Sequence, residues 1–137
     1  MKKKPKILVV RSIYNETTKL YDSAYEELQK EKLYWDRYFV NGAFEIPVVI
    51  ARNIKKYDGF IAIGIIIKGK THNFELISKA ITNGLIQLSI EHKKQIGNSI
   101  LTCYSKDQAE ERSHKGQEAV KAVLSVLDKK VYGNVTK

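Results

Sequence analysis

The stretch Lys68-Gly69-Lys70-Thr71-His72-Asn73-Phe74-Glu75 concentrates more usable chemistry than any other part of this chain. A β-branched run precedes it and an amphipathic segment follows, so it reads as strand end, glycine loop and helix start. Such a junction turns free backbone N–H groups and the positive end of a helix dipole towards an anion. The two lysines and the threonine suit a phosphate, and His72 adds a group that exchanges protons near neutral pH.

Two further segments carry usable groups. Arg11-Ser12-Ile13-Tyr14-Asn15 follows an apolar run. Its tyrosine either stacks on a planar ring or simply covers a sheet end. In Asn41-Gly42-Ala43-Phe44-Glu45-Ile46-Pro47 the small residues let backbone approach a ligand closely. Glu45 either accepts hydrogen bonds from ligand hydroxyls or amines, or serves as a carboxylate favoured at a helix N-terminus. His92, at the end of a helical pattern, reads as a surface cation, and His114 stands near Arg112. No set of histidine, cysteine and carboxylate has metal-ligand spacing, and Cys103 reads as buried strand filler.

The elements that must position these residues alternate. Residues 7–10 form a short apolar strand. Residues 18–32 place Tyr21, Tyr25 and Leu28 at helical spacing. Residues 33–40 are aromatic and β-branched, as a strand is, and Pro47 suits the first position of a helix carrying Val49, Ile50 and Ile54. Residues 60–67 are almost wholly apolar, which predicts a central strand covered on both faces. A helix follows with Phe74, Ile77, Ile81, Leu85 and Leu88 in steps of three and four. Residues 99–103 give a fourth strand. Ser105 and Gln108 form a capping-box pair, and a last helix buries Val120, Val123, Leu124 and Leu127. The alternation predicts an α/β protein: one open parallel sheet of about four strands with helices on both faces. Ligands of such folds bind beyond the C-terminal strand ends, here residues 11–15, 41–45, 68–73 and 102–107.

The 137 residues suit a single domain spanning 1–137, with residues 1–5 and 129–137 as flexible ends. At 43% hydrophobic and 28% charged the chain is globular rather than disordered. One cysteine excludes an intramolecular disulfide and fits a cytoplasmic protein. The apolar run after the basic start is too short for a signal peptide or membrane span. A net charge of +9 admits nucleic-acid binding. However, the lysines are scattered and no nucleic-acid motif accompanies them. Attraction of anionic small substrates is the reading that the 68–73 loop favours.

Gly42-Ala43-Phe44-Glu45-Ile46-Pro47, then Tyr57-Asp58, then Ala62-Ile63-Gly64 running into Ile67-Lys68-Gly69-Lys70-Thr71, resembles the 6,7-dimethyl-8-ribityllumazine synthase family. Tyr14-Asn15, Gln108-Ala109 with Arg112, and Lys115-Gly116 with Glu118-Ala119 extend the resemblance over residues 6–127. It implies a flavodoxin-like fold, no cofactor, and a homopentamer with sites between subunits. The implied reaction condenses 5-amino-6-(D-ribitylamino)uracil with 3,4-dihydroxy-2-butanone 4-phosphate, in the penultimate step of riboflavin synthesis. It proceeds by imine formation, phosphate elimination and ring closure.

The resemblance assigns Tyr14 to ring stacking. It puts Ala43, Phe44 and Glu45 against the ribitylamino-uracil, Glu45 on the ribityl hydroxyls. Ile65, Ile66 and Ile67 hold the pyrimidine by backbone groups. Lys70 and Thr71 bind phosphate, together with an Arg112 supplied by a neighbouring subunit, and Lys115 stands nearby.

Three departures follow from the same comparison. The family's catalytic histidine position holds Asn73, with His72 one residue earlier. Three alternatives stay open: His72 substitutes through a shifted loop; Asn73 orients water or substrate while other groups move protons; or the protein is a weak or inactive relative that binds lumazine- or flavin-like rings. Asn98 occupies the substrate-binding position where the family commonly has a phenylalanine over the pyrimidine. The segment between Arg112 and Lys115 is short, which implies an isolated pentamer or a dimer of pentamers rather than an icosahedral shell.

Overall fold

The computed structural model describes residues 4–70 and 73–127. Its centre is a four-stranded sheet of β1 (Lys6–Ser12), β2 (Tyr34–Val40), β3 (Gly59–Ile67) and β4 (Ile96–Cys103). The strand order is β2-β1-β3-β4 and all three pairings are parallel. Parallel neighbours need crossovers, supplied by α1 (Thr18–Lys30), α2 (Ile46–Arg52) and α3 (Asn73–His92). After β4 come α4 (Lys106–Glu111) and α5 (Lys115–Leu127). The expected open parallel α/β sheet is the one observed.

Side chains alternate across the strands and so divide the interior into two cores. Ile7, Val9, Ile61 and Ile63 face α1 and α5, meeting Leu20, Leu28, Val120 and Leu124. Leu8, Val10, Phe60 and Ala62 face α2 and α3, meeting Ile46, Ile50, Ile81 and Leu85. β3 is buried on both faces, as its unbroken apolar run requires. β2 is an edge strand on which only Val40 is fully buried.

The α1–α5 layer is packed unusually close. A methyl group at Gly116 would stand 2.1 Å from the Leu20 carbonyl oxygen, and one at Gly97 would stand 2.4 Å from that of Ala119. No side chain fits at either position. Ser23 Oγ accepts from the Gln117 backbone N–H at 2.9 Å and strengthens the same contact.

Several expectations shift by one to three residues. α1 stops at Lys30 rather than Lys32, because Lys32 turns left-handed at φ 53. Tyr25, at the helical spacing expected, is 40% exposed. It stands edge-on to Trp35 at 5.5 Å, at the β2 edge of the sheet. Pro47 takes the second helical position, not the first. Fully buried Ile46 fills the first, and both positions lie in the turn whose N–H groups have no helical partner. β4 begins at Ile96, three residues before the expected start. The expected flexible ends, 1–5 and 129–137, fall outside the described residues except for Pro5 and Lys4, whose ammonium donates to the Lys32 carbonyl at 2.7 Å. Among the described residues no helix is long and apolar enough to cross a membrane.

Candidate functional site

The C-terminal ends of β1, β2 and β3 surround a cavity of about 310 Å³. β1 contributes Tyr14 and Asn15, the turn after β2 contributes Gly42, Ala43 and Phe44, and β3 contributes Ile65, Ile66 and Ile67. Gly69, Asn73, Phe74 and Ile77 close the side where α3 begins. The lining is mainly apolar with aromatic side chains at the rim, as a site for a flat ring is. Tyr14 is 83% exposed and Phe44 62%, so both present ring faces to solvent.

Local chemistry explains why these loops hold this shape. Asn15 Nδ2 donates to the Ile65 carbonyl at 2.8 Å and pins the β1 loop to β3. Thr17 Oγ1 donates to the Ser12 carbonyl at 3.0 Å and accepts from Arg11 Nε at 2.8 Å. The Arg11 guanidinium lies 4.7 Å from the Tyr21 ring centroid, so it braces the β1–α1 turn. Residues 43–45 form one 3-10 turn leading directly into α2. Glu45 Oε1 accepts from the Gly42 backbone N–H at 2.8 Å and holds that turn closed. Glu45 thus stands at the N-terminus of α2, as foreseen, but its carboxylate closes the preceding turn and makes no cap hydrogen bond to α2; its ligand role would be a second use.

The structure gathers most of the sequence-derived residues. Tyr14, Ala43, Phe44, Ile65, Ile66, Ile67 and Asn73 all line the cavity. Lys70 lies exposed in the loop beyond Gly69. Thr71 and His72 lie outside the described residues. Asn98 stands on edge strand β4, exposed, and its Oδ1 accepts from the Ile100 N–H at 3.0 Å. It does not line the cavity of its own chain. Arg112 caps α4, with its N–H donating to the Ala109 carbonyl at 3.1 Å, and likewise stands outside this cavity. Its guanidinium opposes the upward push that burial gives the Cys103 thiol. His114 Nε2 is 3.5 Å from Glu118 Oε2 and Lys115 Nζ is 3.2 Å from Glu118 Oε1, which ties both to α5.

The sequence reading assigned no role to Asn15 or Lys106. Lys106 lines a smaller adjoining cavity of about 240 Å³ together with Glu16 and Ala109, and Tyr14, Asn15, Ile65 and Ile67 separate the two spaces. A polar residue beside the stacking aromatic was the available signal for Asn15. Lys106 had none, because its place depends on where α4 packs. Among the described residues no three His, Cys, Asp or Glu side chains cluster to hold a metal ion.

A family model described as 6,7-dimethyl-8-ribityllumazine synthase matches residues 4–130. A 6,7-dimethyl-8-ribityllumazine synthase of Bartonella tribocorum is 36% identical, over 98% of this chain and 96% of its own. That of Bartonella bacilliformis is 34% identical over 95% and 93%. That of Leuconostoc mesenteroides is 33% identical over 90% and 85%. Among solved structures, a flavone reductase aligns with a TM-score of 0.49 at 10% identity, over 91% of this chain and 64% of that one.

Proposed function

Because this chain belongs to the 6,7-dimethyl-8-ribityllumazine synthase family, we propose that it condenses 5-amino-6-(D-ribitylamino)uracil with 3,4-dihydroxy-2-butanone 4-phosphate, releasing 6,7-dimethyl-8-ribityllumazine and phosphate. The observation that carries this reading is the apolar cavity at the strand ends, rimmed by Tyr14 and Phe44 and opening beside the Lys68–Lys70 loop. A planar pyrimidine needs stacking surfaces and backbone partners; a departing phosphate needs cations and N–H donors. The two provisions lie side by side.

In this reading the pyrimidine stacks on Tyr14 and meets the backbone of Ile65, Ile66 and Ile67. Ala43 and Phe44 lie along the ribityl chain, with Glu45 accepting from its hydroxyls. Lys70 and Thr71 receive the phosphate, joined by Arg112 from a neighbouring copy. The 5-amino group attacks the ketone and a first water leaves to form the imine; phosphate is eliminated, the resulting enol becomes a carbonyl, and the ribitylamino nitrogen adds to that carbonyl and closes the ring with loss of a second water. Holding both substrates in one orientation supplies much of the rate, since effective molarities reach about 10⁵ M or more in well-aligned systems. Asn73 donates and accepts hydrogen bonds at the reacting end but does not titrate near neutral pH. Asn73 orients water or substrate there, or His72 serves in its stead.

A cytoplasmic homopentamer, or a dimer of pentamers, is the assembly that suits this reading. α3 supports it: Leu76, Ile86 and Ile90 are 65%, 55% and 70% exposed on a helix whose other face is core. No cofactor is required.

A second reading keeps the pocket for lumazine- or flavin-like rings without turnover, and Asn73 in place of a histidine is what favours it. Steady-state lumazine formation from the two substrates separates the two. Turnover above the spontaneous rate supports the enzyme. Ring binding with no turnover above that background supports the binder. Salt-sensitive binding to generic DNA or RNA, without binding of phosphate ligands, would instead turn the +9 charge to a third use.

A further inference from the structure

Tyr104 follows β4, is 69% exposed and does not line the cavity, yet three contacts meet on it. Lys68 Nζ lies 5.4 Å from its ring centroid. The Phe74 ring stacks against it with centroids 6.3 Å apart and planes 25° apart. Its backbone N–H donates to Gln108 Oε1 at 2.7 Å, and the Gln108 N–H donates to Ser105 Oγ at 3.1 Å. α4 therefore holds Tyr104 from behind. Tyr104 in turn touches both flanks of the β3–α3 connection, Lys68 before it and Phe74 after it. The Lys68 main chain is fixed as well, its N–H donating to the Cys103 carbonyl at 2.9 Å.

The kind of contact matters. A carboxylate beside Lys68 would orient its ammonium and also neutralise it. An aromatic face orients a cation through the ring quadrupole and leaves the full positive charge in place. Among the described residues, the carboxylates in ion pairs serve Lys6, Arg11, Lys19, His114 and Lys115, and none serves Lys68. We propose that Tyr104 is a positioning residue for anion binding: it presents Lys68 as an unneutralised cation to a phosphate group at the mouth of the site and backs Phe74 on the cavity wall. This rests on the condensation reading for the identity of the phosphate carrier, but not for the phosphate chemistry itself.

The test is calorimetric titration of the full chain with inorganic phosphate, comparing wild type, Tyr104→Phe, Tyr104→Leu, Lys68→Met and the double variant Tyr104→Leu/Lys68→Met. An exposed cation–aromatic contact corresponds to about a two- to fivefold effect on affinity. Tyr104→Leu should weaken phosphate binding by about that factor, and Tyr104→Phe, which keeps the ring, should bind as wild type does. In the Lys68→Met background Tyr104→Leu should add nothing. With substrates, Tyr104→Leu should raise KM for the phosphate-bearing one and leave KM for the pyrimidine unchanged. Wild-type affinity in Tyr104→Leu, an equal loss in Tyr104→Phe, an undiminished Tyr104→Leu effect without Lys68, or no phosphate binding by wild type would each overturn the proposal. Coupled phosphate binding in a chain that makes no lumazine would sink the condensation reading and leave this one standing. Lumazine formation with phosphate affinity indifferent to Tyr104 would do the reverse.

Discussion

At the scale of single residues, the proposed reading makes Asn73 the position on which the rate of the condensation turns. It lines the cavity at the first position of α3 with a side chain that cannot carry a proton between substrates. A positioned general acid–base group contributes about 10²–10⁴-fold. Asn73→His should therefore raise kcat at least about tenfold with little change in KM, measured by lumazine absorbance at saturating substrate. An unchanged kcat would mean that proton transfer does not limit turnover at this position. A second residue-scale prediction concerns Tyr57. Its hydroxyl donates to Asp36 Oδ2 at 2.6 Å. That bond first, then burial, then the Asp36 charge push its phenol up to about 12. An unfolded tyrosine titrates near about 10. The stabilisation is thus complete below about pH 10 and is lost as pH rises through about 12. Tyrosinate absorbance should show one late-titrating phenol in the wild type. Asp36→Asn should move it back towards the ordinary range and lower stability in neutral buffer.

At the scale of elements, two helices end in the same way. Lys32 after α1 and Lys93 after α3 have φ of 53 and 55. The following N–H groups reach back to the Leu28 and Ser89 carbonyls at 3.3 and 3.1 Å. This is the closing bond of a Schellman turn, whose left-handed position favours glycine. Lys93→Gly should raise stability by about 0.5–1 kcal/mol, read from the urea midpoint. The same turns explain what was legible and what was not. β3 and α3 announced themselves through an unbroken apolar run and a steady period. The end of α1 did not, because a lysine stands where a glycine would have marked it. The start of β4 was hidden by Gly97 and Asn98, which look like loop. Gly97 is there because the Ala119 carbonyl crosses it, and that contact exists only once α5 has packed. Of the site, the cavity-lining residues could be read from motif and strand order, whereas Lys106 and Tyr104 depend on how α4 settles behind β4.

At the scale of the whole molecule, the proposed reading makes the site of one chain incomplete. Arg112 and Asn98 stand outside the cavity of their own chain, and α3, which carries exposed Leu76, Ile86 and Ile90, packs beside β4, the strand that carries Asn98. Arrangement about a ring would let one copy supply what its neighbour lacks. Native mass measurement should therefore give five or ten copies of the 15.7 kDa chain. Ile90→Lys should shift it towards monomer and lower turnover together with assembly. A sixty-subunit particle would contradict the assembly reading, and a fully active monomer would contradict the shared site.

The strand order β2-β1-β3-β4 also bears on how the chain leaves the ribosome. Neighbouring strands are joined by crossovers and none by a hairpin, so each pairing waits for a helix to be made first. β1 and β2 can meet once residue 40 has emerged, but β3, the most apolar strand, appears at residue 59 and gains its second neighbour only with β4 at residue 96. α5, which covers β1 and β3 on the α1 side, is synthesised after all four strands. A nascent chain therefore carries a bare hydrophobic strand through some thirty residues of synthesis, counted roughly from the crossover between β3 and β4. Slow translation over α3, or truncation before α5, should appear as aggregation rather than as a smaller folded product.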